Sequence, residues 1–150
     1  KLLIYILVEL ATEIQINSRP EIVWKILTDF KNYSQWNPII IKIIGELSIG
    51  NKLEIHVNTI GGKNRIYHPK ITKITPNHEL RWKGKFFSSK IFAGERIFSI
   101  EKLSDNKVNF VNKEIFSGIG LKLVSQKTAD DILASFKKMN EVLKKTVEQS

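Results

Sequence analysis

The sequence predicts an α+β domain in which a seven-stranded antiparallel sheet packs against a long C-terminal helix. Two short helices are expected between the first and second strands. Three observations carry this. Segments from Ile39 to Phe116 alternate apolar and polar residues and are separated by turn residues. From Leu121 the period changes to steps of three and four, through Val124, Ile132, Phe136, Met139, Leu143 and Val147, with Thr128 filling the gap. A helix with one apolar face must lie on a flat apolar surface, and the inner face of the sheet is the available one.

The elements follow in order. Thr12 to Asn17 alternates as a half-buried strand. In "SRPE", Ser18 and Glu21 have capping-box spacing and Pro20 suits a first helical turn, so a helix is expected to about Asp29. Val23, Trp24, Leu27 and Phe30 form its inward stripe, and "KNYSQWNP" gives a second short turn stopped by Pro38. Six strands are expected at 39–47, 52–60, 65–75, 79–87, 92–103 and 107–116. The turns between them include "IGN", "GGKN", "TPNH" and "SDN". The apolar run Leu2 to Val8 is shorter than the roughly 20 residues of a membrane span and reads as a strand extension. A processed signal or anchor stays open as an alternative.

Composition narrows the function classes. The 150 residues are 42% hydrophobic and 26% charged, as in one globular domain spanning 1–150. Cysteine is absent, which removes disulfides, thiolate metal sites and a cysteine nucleophile and suits a cytoplasmic location. The net charge of +9 favours acidic partners or contact with an anionic membrane surface, but the lysines are scattered. No basic block with interleaved aromatics appears, so no nucleic-acid partner is expected. His56, His68 and His78 lie on different segments, and no metal or cofactor motif is present. "GIG" at 118–120 lacks a dinucleotide fingerprint.

The stretch "GERIFSIEKLSDNKVNFVNKEIF" raises the functional question. Phe92, Gly94, Arg96, Phe98 and Ile100 share one face, as do Phe110, Asn112, Glu114 and Phe116. A three-residue loop at Ser104-Asp105-Asn106 pairs residues whose numbers sum to about 210, setting Arg96 opposite Glu114 and Phe98 opposite Asn112. An Arg96–Glu114 ion pair on the concave face is therefore expected, since an unpaired buried charge is very unfavourable. It reads equally as a ligand-orienting group and as a structural pair. Adjacent Arg96 should lower the pKa of Glu114, which disfavours acid catalysis there. Tyr67 and Trp82 should also face inward, Trp36 should close one end, and Gly84 and Gly94 leave room beneath the helix.

Local words add a resemblance. "SRPEIVWKILTDFKNYSQWNP", "HPKITKITPNHELRW", "FAGERIFSIE" and "NKEIFSGIG" together resemble the START/Bet v 1-like superfamily, the SRPBCC or polyketide cyclase/dehydrase proteins of bacterial type, over about residues 12 to 149. The resemblance implies a helix-grip fold, a curved seven-stranded sheet wrapped around the C-terminal helix and an apolar cavity that binds lipids, sterols, polyketides or other hydrophobic molecules, with cyclisation or dehydration in a minority of members. Many relatives carry His where Arg96 and Asn112 stand, so a proton-transfer role resting on those histidines is not carried over. The expected ligand is a hydrophobic small molecule or lipid, for a monomer or homodimer. The cavity candidates are Trp36, Tyr67, Trp82, Phe92, Arg96, Phe98, Asn112, Glu114, Phe116 and Phe136. A cyclase/dehydratase-type enzyme is the alternative, and an interaction module using the apolar N-terminal run is a third.

Overall fold

The computed structural model describes residues 7–61, 64–86 and 92–150. The part of the apolar N-terminal run before Leu7, and Phe87 at the end of the fourth of the six expected strands, lie outside the described residues. The chain order is β1 (Leu7–Ile16), α1 (Pro20–Thr28), a 3-10 turn (Phe30–Asn32), α2 (Tyr33–Trp36), then seven strands, a second 3-10 turn (Ile119–Leu123) and α3 (Gln126–Glu148). The seven are β2 (Ile40–Ile44), β3 (Glu54–Asn58), β4 (Asn64–Tyr67), β5 (Lys70–Thr75), β6 (Glu79–Phe86), β7 (Phe92–Ser104) and β8 (Lys107–Ser117).

Among the described residues there are thus eight strands rather than seven. The expected strand 65–75 breaks at His68-Pro69, because proline has no N–H to give a ladder and biases the residue before it. The break divides the pairing into two antiparallel sheets, β1-β8-β7-β6-β5 and β2-β3-β4. They stay joined along a seam where Leu53 N donates to Pro69 O (2.8 Å), Gly50 N to Ile71 O (2.8 Å) and Ile71 N to Asn51 O (3.0 Å).

The helices start where local chemistry places them. Pro20 occupies the first position of α1, so Arg19 is the N-cap and Ser18 sits one residue too early to cap. The Ser18 hydroxyl donates instead to the Arg19 carbonyl (3.0 Å), and the expected capping box does not form. The expected helix from Leu121 begins only at Gln126, because Val124 is extended and Ser125 is a true N-cap, accepting from Thr128 N at 3.1 Å.

Helix α3 lies across the concave face and buries Phe136, Met139, Leu143 and Val147. Its far end is tied to β1: Lys144 Nζ donates to Gln15 O (2.7 Å), and Asn17 N donates to Glu148 (2.8 Å). Two polar residues, Ser135 and Asn140, are buried on the same face. Asn140 belongs to a closed network. Asn112 Nδ2 donates to Asn140 Oδ1 (2.9 Å), Asn140 Nδ2 donates to Thr12 Oγ1 (2.9 Å), and Thr12 Oγ1 donates to the Asn112 carbonyl (2.8 Å). The three side chains come from α3, β1 and β8, so the network sets both the height and the rotation of the helix on the sheet.

The hairpin β7–β8 has the expected register: Arg96 faces Glu114 and Phe98 faces Asn112. Its turn is shorter than expected. Ser104 pairs with Lys107, and an irregularity between Lys102 and Ser104 absorbs the extra residue.

Replacing Asn140 by Ala removes two buried hydrogen bonds at once, leaving the Asn112 amide only longer contacts to the Phe136 carbonyl and Met139 sulfur. We expect a loss of about 2 kcal/mol in urea unfolding, against about 0.5 or less for the exposed Lys137→Ala. Equal effects of the two substitutions would refute the structural role of the network.

Candidate functional site

Between α3 and the sheets lies a cavity of about 610 Å³. The small sheet and the segment leading into it supply Ile39, Ile40, Ile55, Val57 and Tyr67, the large sheet Trp82, Gly84, Phe92, Gly94, Arg96, Glu114 and Phe116, and the helix Ile132, Ser135 and Phe136. The space follows from missing side chains. Gly84 and Gly94 face each other across β6 and β7, and a Cβ at Gly94 would collide with the Glu114 carboxylate.

Arg96 is 9% exposed, and its guanidinium is held on several sides. Nε donates to Asn112 Oδ1 (2.8 Å), Nη2 lies 3.9 Å from Met139 Sδ, and Cζ sits 3.9 Å from the Phe136 ring centroid and 5.0 Å from that of Phe98. The expected direct ion pair with Glu114 is absent: the arginine turns from its cross-strand neighbour toward Asn112 and the helix. Glu114 makes no hydrogen bond or salt bridge among the described residues. It is half-buried by area because its side chain borders the cavity.

Burial sets the protonation chemistry. Desolvation lowers the Arg96 pKa to about 10, with Glu114 and Tyr33 opposing, so the guanidinium stays charged at neutral pH. Desolvation raises Glu114 above the usual carboxylate range, and Arg96 only partly offsets it. This reverses the expectation that Arg96 would dominate, because no salt bridge forms and burial is the larger effect. Burial also raises Tyr67.

Of the sequence candidates, Tyr67, Trp82, Phe92, Arg96, Glu114, Phe116 and Phe136 line the cavity. Three do not. Phe98 is fully buried, with its ring centroid 5.1 Å from that of Trp82 and 6.1 Å from that of Phe110. Asn112 lies behind Arg96 as its support. Trp36 packs on Tyr33 and lines a separate groove with Ile26, Thr146 and Gln149. Sequence reasoning missed the rim, where the β3–β4 loop meets α3. Ile60 N donates to Ser135 Oγ (3.0 Å), and Gly61, with φ of 71°, approaches Asp131 so closely that a Cβ would lie 2.8 Å from its Oδ2. The "GG" at 61–62 was the available signal for such an approach. Asp131 also pairs with Lys127 at 2.8 Å. No group of three or more His, Asp or Glu among the described residues is placed to hold a metal, and no described helix is long and apolar enough to cross a membrane.

An antiparallel sheet gripping a helix over a largely apolar chamber defines a helix-grip, START-like ligand-binding fold. The family model described as "Polyketide cyclase / dehydrase and lipid transport" matches residues 8–148, and the chain belongs to that family. Solved structures share the fold at low identity. A START superfamily protein from Mycobacterium smegmatis is 19% identical, with a TM-score of 0.74 over 94% of this chain and 97% of its own. The Zhui aromatase/cyclase from Streptomyces sp. R1128 is 13% identical, with a TM-score of 0.72 over 95% and 94%. Norcoclaurine synthase from Thalictrum flavum, in complex with dopamine and hydroxybenzaldehyde, is 13% identical, with a TM-score of 0.69 over 97% and 88%. No curated protein matches the chain.

The raised pKa of Glu114 makes a signed prediction. The folded protein holds this proton to higher pH than the unfolded chain does. The resulting stabilisation is full below the ordinary glutamate value of about 4.3 and is lost as pH rises through the raised value. Glu114→Gln mimics the neutral acid, so it should raise the unfolding midpoint progressively as pH climbs above the ordinary glutamate range and leave it unchanged near about pH 4. A midpoint difference independent of pH would contradict the assignment.

Proposed function

We propose that this protein binds a hydrophobic small molecule or lipid in the chamber between sheet and helix. The observation that carries the reading is the cavity of about 610 Å³, walled largely by Ile, Val and aromatic side chains, with a smaller set of polar and charged groups among them. Burying ligand alkyl surface there supplies roughly 25 cal/mol per Å². Family membership supports hydrophobic cargo as a class.

The test uses Gly84, which lines the cavity and has only Pro69 near its would-be Cβ, at 3.6 Å. Gly84→Leu should fill the chamber while leaving the unfolding midpoint near that of the parent. Anilinonaphthalene sulfonate should bind the parent and lose about tenfold or more in affinity to the variant, equivalent to 1.4 kcal/mol. Equal affinity for both proteins would place the dye elsewhere and refute the reading. Extraction of natively purified protein then names the cargo.

One observation favours a second, enzymatic reading of the cyclase/dehydratase type. Burial favours the protonated form of Glu114 beside a charged guanidinium, the pairing needed to polarise and protonate a bound carbonyl. On that reading Glu114→Gln abolishes turnover of the extracted ligand, whereas in a carrier it shifts affinity alone.

A further inference from the structure

We propose that the cavity selects an anionic amphiphile, a carboxylate or comparable oxyanion on an apolar body, with its charged end seated against Arg96. The inference rests on the hydrophobic-ligand reading above and specifies the polar end of that ligand.

Charge balance in the wall is the first argument. Its cations are Arg65, Arg96 and Lys127, and its acids are Glu114 and Asp131. Lys127 and Asp131 neutralise each other at 2.8 Å. That leaves the buried Arg96 and the solvent-exposed Arg65 for one carboxyl, and neither forms a salt bridge among the described residues. A chamber meant for a neutral hydrocarbon has no use for this excess.

The second argument is geometry. Asn112 engages Arg96 through Nε alone, and Nη2 has only the Met139 thioether, a weak acceptor at 3.9 Å. No oxygen of a described residue accepts from the terminal amino groups, although the side chain borders the cavity. An oxyanion arriving there gains charge-assisted hydrogen bonds that water-filled space supplies less well. The guanidinium is also already oriented, because Asn140 and Thr12 hold Asn112 and the Phe136 ring covers one face. The ordering cost therefore falls before the ligand enters.

Glu114 completes the arrangement. An anion beside Arg96 adds a like charge near this carboxyl and favours its protonated form. Facing it are Arg96 from β7, Arg65 and Tyr67 from β4, and the Lys127–Asp131 pair of α3. Arg96 stays cationic and burial keeps Tyr67 neutral, so Glu114 is the group that takes up the proton. Where Glu114 of the free protein is ionised, binding of the acid thus proceeds with uptake of a proton from solvent.

The experiment is titration calorimetry of the full chain with two matched series, dodecanoic acid, dodecanol and methyl dodecanoate, and naphthylacetic acid with its alcohol and methyl ester counterparts. Each series is measured in buffers of different ionisation enthalpy. In at least one series the acid should bind about tenfold or more tightly than its ester, with net proton uptake at pH values where Glu114 of the free protein is ionised. Arg96→Gln should erase the preference. Should that variant fail to fold, Glu114→Gln carries the test: it keeps the preference for the acid and loses the proton uptake. Equal affinity of acid and ester overturns this inference while leaving the hydrophobic-ligand reading intact. A preference that survives in folded Arg96→Gln also overturns it. No binding by any member of either series overturns both.

Discussion

The hydrogen bond from Arg96 to Asn112 is the constraint on which the rest of the site depends. Its acceptor oxygen points at the arginine because the amide nitrogen of the same side chain is engaged by Asn140 on α3. One buried amide therefore orients the guanidinium and locks the helix to the sheet. An apolar stripe alone would tolerate sliding by a turn of about 5.4 Å, since Phe136, Met139 and Leu143 recur at helical spacing. A slid helix would strand the amide groups of Asn112 and Asn140, and each such loss costs about 1–3 kcal/mol. Polar groups in this core act mainly as a register device.

The same constraint keeps the chamber from collapsing. Phe136 rests on the guanidinium rather than on the floor of the sheet, and below it Gly84 and Gly94 project no side chain. A charge that must stay paired or solvated resists being covered by aliphatic carbon. The void and the buried arginine are consequently mutual: each would be more costly without the other.

How far the amino-acid order disclosed this can be judged residue by residue. Long alternating strands specified the β7–β8 register well, because a slip of one residue would turn Phe98 and Phe110 outward. Alternation assigns a face and not a rotamer, so Arg96 was placed correctly while its partner was not. Asn140 was invisible because a lone asparagine on a mostly apolar helical face has no periodic signature, and Thr12 lies 128 positions away in the chain. The departures at Ser18, Pro69 and Leu121 share a cause. A proline or a serine cap decides a boundary locally, whatever the apolar period around it suggests. The rim at Gly61 and Asp131 depends on a contact between distant segments that no local pattern encodes.

The division at Pro69 has a consequence for how the molecule breathes. One wall of the chamber belongs to β7 and β8, strands of 13 and 11 residues. The facing wall belongs to β2, β3 and β4, of only five, five and four residues, and β4 is largely exposed. Local opening free energies follow such differences in buried contact and ladder length. Amide protons of the three-stranded sheet should exchange first, at energies well below global unfolding. Opening of this sheet would uncover the interior while leaving undisturbed the strands that carry Arg96.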